Sequence, residues 1–314
     1  MDGFYYDLEA FGNELKDIRK SLRLTQKDVA KQTLISIDTL RRIENGKVMP
    51  KQETLDLMSV IFKRDLNDLL LKYRLKDYSS FYKIKTSIED KLEGGEFEDL
   101  KKEIEELKKI IDEGKMSLYY IRLLKQLLLL VESVIEKTVN NDYEEALEKL
   151  IEAMKVTIPD FSLSNYIRFV YSSMEVRILM NMAIILREKE SYEKCIEMLL
   201  FCLEELEKDN VEERTRVYYN LSYTYHLASM YDKALYSAEE GIKTCTENKI
   251  LNGLGLLYFR KGIAEFKLNR ENYMDSLLKA VNLSEICGHE KLKKMVIESC
   301  KKIYNIDLKN FQKL

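Results

Sequence analysis

The sequence predicts an all-α protein built from a short helical head and a longer array of paired helices. Its 314 residues include only 2 prolines and 11 glycines, too few for the many tight turns of an all-β sandwich. Hydrophobic residues make up 46% and charged residues 33%, which suits a packed core under a well-solvated surface. Helical patterns are short up to about residue 72 and longer beyond it, so we expect domains at 1–72 and 73–314.

Five short helices are predicted in the head. Apolar residues spaced three and four positions apart from Leu8 to Leu22 predict the first helix. Thr25 is placed to cap a second helix over 26–33, and Ser36 to cap a third that runs to Asn45.

Gly46 follows the third helix, where a helix end favours a residue with left-handed backbone. Two more helices are predicted over 51–62 and 65–72. Their residues available for the core are Leu55, Val60, Ile61, Leu66 and Leu70.

A cluster of positive charge lies in the head of an otherwise acidic protein. The whole chain has a net charge of −3, but residues 19–51 carry nine Lys or Arg against three Asp or Glu, a net charge of +6. Such a window is where a polyanion would dock. A solvated helix face produces the same pattern, so the charge alone does not identify a partner.

An aromatic residue followed three positions later by an apolar or small residue recurs through the second segment. The aromatic positions are 46, 49, 39 and 42 residues apart, at Phe97, Tyr143, Tyr192, Tyr231 and Tyr273. Each opens the second helix of a predicted hairpin. Because such a hairpin buries its apolar face only against its neighbours, we expect a stacked superhelix with a concave surface.

The head resembles the lambda-repressor-like, or XRE-type, helix-turn-helix family over about residues 11–72. The resemblance is carried by Leu24-Thr-Gln-Lys-Asp-Val-Ala, Ile35-Ser, Leu40-Arg-Arg-Ile-Glu-Asn-Gly and Pro50. It implies a five-helix domain whose third helix enters the major groove of double-stranded DNA. Leu34 departs from the family pattern, which usually has glycine there, and a left-handed conformation would strain a leucine.

The same resemblance implies which residues contact a DNA operator. Base edges would be met by exposed residues of the third helix, which are Ile37, Asp38, Arg41 and Arg42, with Ser36 and Thr39 nearby. The phosphate backbone would be met by Thr25, Gln26, Asn45 and Lys47. Arg41 and Arg42 could equally be ordinary surface cations, and Glu44 fits a structural ion pair with Arg19 better than a DNA contact.

The second segment resembles the tetratricopeptide repeat, which implies a right-handed α-solenoid of about five helical hairpins. The clearest unit is 218–242, and 180–202 is a weaker copy. Small residues permit close helix approach in the clearest unit, at Ser222, Ala234, Ala238 and Gly241.

A helix-turn-helix head followed by such an array resembles the Rgg, PlcR and PrgX class of peptide-pheromone receptors, the RRNPP family. The resemblance spans nearly the whole chain. It implies a transcriptional regulator, expected to be a homodimer, that binds a short signalling peptide in its concave groove. In this family Asn and Arg side chains hold the peptide, and an Asn amide can pair with both a backbone N–H and a carbonyl group.

Two successive repeats carry the same Arg-x-x-x-Asn pair, at Arg177/Asn181 and Arg216/Asn220. Four-residue spacing places both side chains of a pair on one stripe of a helix. The predicted peptide-binding residues are Arg177, Asn181, Arg216, Tyr219, Asn220 and Tyr223, with His226, Phe259, Arg260 and Phe266 as weaker candidates. The Arg and Asn side chains could instead bridge neighbouring helices or face water.

Other classes of protein lack support in the sequence. Only two histidines occur, and no phosphate-binding glycine loop or HExxH motif is present, so we expect neither an enzyme nor a metal site or cofactor. Five widely spaced cysteines, without a CxxC pair, indicate reduced packing thiols. The start of the chain lacks the features of a signal peptide and the most apolar run, 127–131, is short, so we expect a cytoplasmic protein without a membrane partner.

Two alternatives to a peptide-responsive regulator remain open. In the first, the chain is a helix-turn-helix repressor whose array serves only as a dimerisation or protein-docking scaffold. In the second, the array inhibits a partner enzyme and the head is vestigial. DNA binding separates the second alternative from the others, and peptide binding separates the first.

Overall fold

A computed structural model describes residues 6–33, 35–73, 76–95, 97–114 and 118–308. Every regular element in these ranges is helical. Contacts divide the chain into two compact units, with the division between Thr86 and Ser87. No helix in the described ranges has both the length and the apolar character needed to cross a bilayer.

The head contains the five predicted helices. They are α1 (Leu8–Ser21), α2 (Gln26–Thr33), α3 (Ile37–Glu44), α4 (Gln52–Phe62) and α5 (Leu66–Lys72). Their core is a cluster of buried apolar side chains that includes Phe11, Leu15, Val29, Leu40, Ile43, Leu55, Met58, Phe62 and Leu66.

The prediction of core residues in α4 is wrong at one position. Val60 is 69% exposed, whereas Leu55, Met58 and Phe62 are buried. Those three share one face because they lie three and four positions apart, and Val60 falls on the opposite side of the helix.

The helix starts follow from local hydrogen bonds. The Ser36 hydroxyl accepts from the Thr39 backbone N–H at 3.0 Å, and the Thr25 hydroxyl accepts from the Asp28 N–H at 3.2 Å. Gly46 has a φ of +66°, and a Cβ there would lie 2.7 Å from the Glu9 Cα. Both the backbone conformation and the lack of space therefore require glycine. Leu34 lies outside the described residues.

Eleven further helical segments of the α type follow in the described residues. They are α6 (Lys76–Gly94), α7 (Lys101–Glu113), α8 (Leu118–Ile135), α9 (Tyr143–Lys155), α10 (Ser173–Glu188), α11 (Tyr192–Glu205), α12 (Val211–Leu227), α13 (Tyr231–Glu247), α14 (Leu254–Lys267), α15 (Tyr273–Ile286) and α16 (Glu290–Tyr304). Each repeated aromatic residue is the first residue of a helical element, and Phe97 opens a 3-10 turn before α7. The predicted hairpin pattern is therefore confirmed.

Successive hairpins α8/α9, α10/α11, α12/α13 and α14/α15 pack on one another, and the first helices α10, α12 and α14 are neighbours. Gly241 allows α13 to pack closely on α14, because a Cβ there would lie 2.6 Å from the Leu257 side chain. Four cysteines are buried among apolar side chains, namely Cys195, Cys202, Cys245 and Cys300. Burial raises the pKa of the Cys300 thiol to about 12, which suits a packing role.

Candidate functional site

One face of α3 is anchored in the head and the other is presented to solvent. Leu40, Ile43 and Glu44 are buried. The outward residues Ile37, Asp38, Thr39, Arg41 and Arg42 are all exposed, as are the flanking residues Ser36, Asn45 and Lys47. The predicted DNA-contacting residues of the third helix therefore share one accessible surface.

A buried ion pair holds the inner face of α3 on α1. Arg19 Nε lies 2.5 Å from Glu44 Oε1, and Arg19 Nη2 lies 3.0 Å from Glu44 Oε2. Arg19 Nη1 also donates to the Leu24 carbonyl at 2.8 Å. Hydrogen bonding to Glu44 is the main reason that the pKa of Arg19 is raised, so the guanidinium stays charged. Glu44 thus takes the structural role that the sequence favoured for it.

The side chains at the start of α2, which the resemblance assigns to the phosphate backbone, also make contacts within the head. Gln26 is half-buried, and its amide donates to Glu44 Oε2 at 2.8 Å. The exposed Thr25 hydroxyl bonds Asp28 Oδ2 at 2.6 Å. These residues order the buried pair and the start of the helix, which adds a structural role beside the predicted phosphate contact.

Arg41 and Asp38 form an ion pair across the exposed face of α3. Arg41 Nη2 lies 2.5 Å from Asp38 Oδ1, and both side chains are more than half exposed. A pair this exposed contributes about 0–1 kcal/mol, so Arg41 can exchange Asp38 for another acceptor at little cost.

In the array, the two predicted groove arginines converge on one carboxylate. Arg177 Nη2 donates to Glu89 Oε2 at 2.8 Å, while Arg177 Nη1 contacts Glu89 Oε1. Arg216 Nη2 donates to the same Glu89 Oε2 at 2.7 Å, and Arg216 Nη1 lies 2.6 Å from Glu213. The sequence predicted that the arginines share a site but gave no indication of Glu89, which belongs to α6.

The two predicted asparagines have matching local geometry. Asn181 Nδ2 donates to the Arg177 carbonyl and Asn220 Nδ2 to the Arg216 carbonyl, both at 2.9 Å. Asn220 is buried, and its Oδ1 accepts from Arg187 Nη1 at 3.1 Å. Arg187 was not among the predicted site residues.

A cleft of about 170 Å³ lies between α6, α10, α12 and α14. Its walls include Glu89, Leu92, Arg216, Tyr219, Asn220 and Leu256. Three of the predicted peptide-binding residues therefore line one cavity. Arg177, Asn181 and Tyr223 are not part of its lining.

Cations and tyrosines surround the next turn of α12. Arg187 and Arg260 lie 4.5 and 3.6 Å from the centre of the Tyr223 ring, and Arg260 Nη2 donates to Tyr219 Oη at 2.9 Å. Burial first, and then the charges of Arg260 and Lys267, lower the pKa of His226 to about 4. Burial, reinforced by these two positive charges, therefore favours the neutral form of His226.

The weaker candidates in this part of the array have packing contacts. His226 Nε2 lies 3.0 Å from the Tyr304 hydroxyl, and Phe266 packs on Tyr273 and Tyr304. Phe259 is buried in the apolar cluster of the last repeats. In the described part of the chain, no group of His, Cys, Asp or Glu is arranged to hold a metal ion.

Comparison with known proteins identifies the same two parts. Residues 15–69 match the helix-turn-helix family. PlcR from Bacillus thuringiensis, in its structure with the peptide PapR7 and DNA, aligns with a TM-score of 0.70 at 20% identity, over 92% of this chain and 99% of that one. Apo PlcR aligns with a TM-score of 0.57 at 21% identity, over 94% of this chain and 99% of that one.

The SHP pheromone receptor Rgg2 from Streptococcus dysgalactiae aligns with a TM-score of 0.54 at 15% identity, over 93% of this chain and 99% of that one. No curated protein sequence matches the chain. The predicted resemblance is confirmed at the level of the fold. The chain carries a helix-turn-helix DNA-binding domain within residues 15–69, followed by a helical repeat array, and it has the fold of PlcR and Rgg2.

Proposed function

We propose that this protein is a sequence-specific transcriptional regulator whose repeat array binds a short signalling peptide and couples it to DNA binding. The DNA-binding part of the proposal rests on one observation about α3. Arg41 and Arg42 are exposed on its outer face, while the buried Arg19–Glu44 ion pair fixes its inner face. A recognition helix needs this combination, because its base-reading side chains must be free while the helix itself is fixed.

On this proposal α3 lies in the major groove of the operator. Arg41 or Arg42 grips guanine through two hydrogen bonds, and Ile37 packs on a thymine methyl group. Asn45 and Lys47, which are exposed after α3, lie beside the phosphate backbone. Two copies of the chain place their α3 helices on half-sites about one DNA turn apart.

The peptide-binding part is supported by the cleft beside Tyr219 and Asn220 and by the paired arginines next to it. PlcR, which shares the fold, has been solved with a peptide and DNA together. Coupling requires that the peptide bind two arrangements of the protein with different affinity.

The DNA-binding part is tested with duplexes selected from a random library by the wild-type protein. Replacing Arg41 and Arg42 together by Gln is expected to weaken binding to the selected duplexes and to flatten the base preference, because each bidentate arginine contact contributes about 1–3 kcal/mol of discrimination. Lys47→Gln is the matched control, since losing a phosphate contact weakens binding to all sequences alike. An unchanged base preference in the double variant would refute the assignment.

One observation favours the scaffold alternative. Glu89 already satisfies both Arg177 and Arg216, so these arginines do not need a ligand to be paired. An array that only joins protein chains would have such an internally neutralised surface. Direct peptide binding decides between the two functions.

A further inference from the structure

Glu89 lies where the proposed ligand would place a negative group. Its carboxylate contacts both arginines of the repeated Arg-x-x-x-Asn pattern, although it lies 88 residues from Arg177 and 127 from Arg216. Both arginines belong to first helices of successive hairpins, and Glu89 comes from α6, outside those hairpins. The Glu89 carboxylate therefore binds the two arginines although it belongs to neither of the repeats that carry them.

Leu92 extends this occupancy into the cleft. It lies one helical turn after Glu89 and lines the same cleft as Leu256 and Tyr219. The end of α6 thus presents a carboxylate and an aliphatic side chain to the groove, which are two groups that a short peptide could present.

We propose that Glu89 and Leu92 act as an internal pseudo-ligand, and that the signalling peptide displaces them with a carboxylate of its own and an adjacent apolar side chain. This inference rests on the proposed peptide-binding function and adds the chemical class of the ligand to it.

The burial of Arg177 makes the exchange selective. Its side chain is only 7% exposed, so losing Glu89 without replacement would leave a buried charge unpaired. A peptide carboxylate replaces Glu89 and keeps the charge balance, whereas a neutral peptide leaves Arg177 unpaired. Arg216 keeps Glu213 in either case. The groove therefore discriminates in favour of anionic peptides.

The exchange need not detach α6 from the array. Lys91 Nζ lies 2.7 Å from Glu103 Oε1 and also donates to the Asp99 carbonyl at 2.7 Å, while the Ser87 hydroxyl donates to Glu103 at 2.7 Å. These contacts hold α6 on α7 and on the 3-10 turn before it, independently of Glu89. On this proposal the peptide breaks only the contacts that Glu89 and Leu92 make with the groove, and the other contacts of α6 remain. α6 is the helix that follows the head in the sequence.

The test uses the full chain and three synthetic heptapeptide pools with randomised apolar and neutral positions. The first pool contains Asp or Glu and ends in an amide, the second has no acidic side chain and ends in a free carboxylate, and the third has neither. Binding is measured by affinity selection with mass spectrometry and then by calorimetry on the recovered peptides. The first two pools distinguish a side-chain carboxylate from a terminal one.

Wild-type protein is expected to retain peptides from the first or the second pool and none from the third. Glu89→Gln is expected to bind the retained peptides about tenfold more tightly, because removing a competing occupant raises the fraction of open sites. Leu92→Ala is expected to tighten binding without changing any charge, which covers the case in which Glu89→Gln folds poorly. Glu132→Gln, which removes a carboxylate paired with Lys108 and Lys149, is the control and should leave affinity unchanged.

Two results would overturn the inference while leaving peptide binding intact. The first is retention of the neutral third pool by wild-type protein, and the second is unchanged affinity in both Glu89→Gln and Leu92→Ala. If no pool binds to wild type or to either variant, the proposed peptide function itself is rejected and the pseudo-ligand with it.

Discussion

The buried Arg19–Glu44 pair yields the sharpest prediction about the head. Replacing Glu44 by Gln keeps the shape of the side chain but leaves the Arg19 charge, on a residue only 7% exposed, without its counter-ion. Removing one partner of such a buried pair costs about 3–5 kcal/mol. The loss is a large part of the stability of a small domain, which is about 5–15 kcal/mol.

Hydrogen exchange of the full chain, followed by mass spectrometry on peptides from α1 to α5, measures this change locally. A loss of 3 kcal/mol corresponds to exchange about 100-fold faster at the best protected amides of α1 and α3. Asp38→Asn is the matched control, because it removes an exposed ion pair from the same helix at a cost of about 0–1 kcal/mol. Equal protection in the two variants would refute the view that Arg19–Glu44 fixes the recognition helix.

Three further predictions concern single positions. Gly12→Ala is expected to destabilise the head by about 1–3 kcal/mol in thermal unfolding, because the new Cβ would lie 2.6 Å from the Ile43 and Glu44 carbonyl oxygens. The exposed Asn13→Ala is its control, and equal melting temperatures would contradict the expected clash. Ser36→Ala removes the cap of α3 and should cost about 1 kcal/mol, whereas Ser36→Thr should retain most of it. The pKa of His226 is lowered from 6.5 to about 4, so between these pH values the unfolded chain binds a proton more readily than the folded chain. The contribution of this histidine to stability is therefore complete above about pH 6.5 and declines as the pH falls towards 4. Arg260→Gln should raise the pKa of His226 in a histidine NMR titration compared with wild-type protein, and an unchanged titration would remove Arg260 as a cause.

Local signals in the sequence were sufficient to predict most of the secondary structure. Thr25 and the following apolar positions placed α2 over Gln26–Thr33, and Tyr143, Tyr192 and Tyr231 marked the first residues of three helices. These features depend on caps, breaks and side-chain periodicity, which act within a few residues along the chain. The core prediction was wrong at Val60 because the apolar residues of α4 allow more than one buried face. Only the packing of the helix in the head decides which face is buried.

The candidate sites were predictable in part for the same reason. The exposure of Arg41 and Arg42 follows from the phase of α3, which Leu40 and Ile43 fix by their burial. Likewise the four-residue spacing places Arg177 above Asn181 and Arg216 above Asn220. In both cases one helix carries the whole pattern, so the sequence contained the necessary information.

The sequence by itself therefore determined an all-helical chain, a helix-turn-helix head and repeated hairpins. Tertiary structure alone decided that Gln26 turns inward to Glu44, that Arg187 holds Asn220, and that Glu89 occupies the arginine pair. These contacts join residues 18 to 127 positions apart. A helix can display a charge on the correct face, but which distant partner meets that charge depends on how the helices stack.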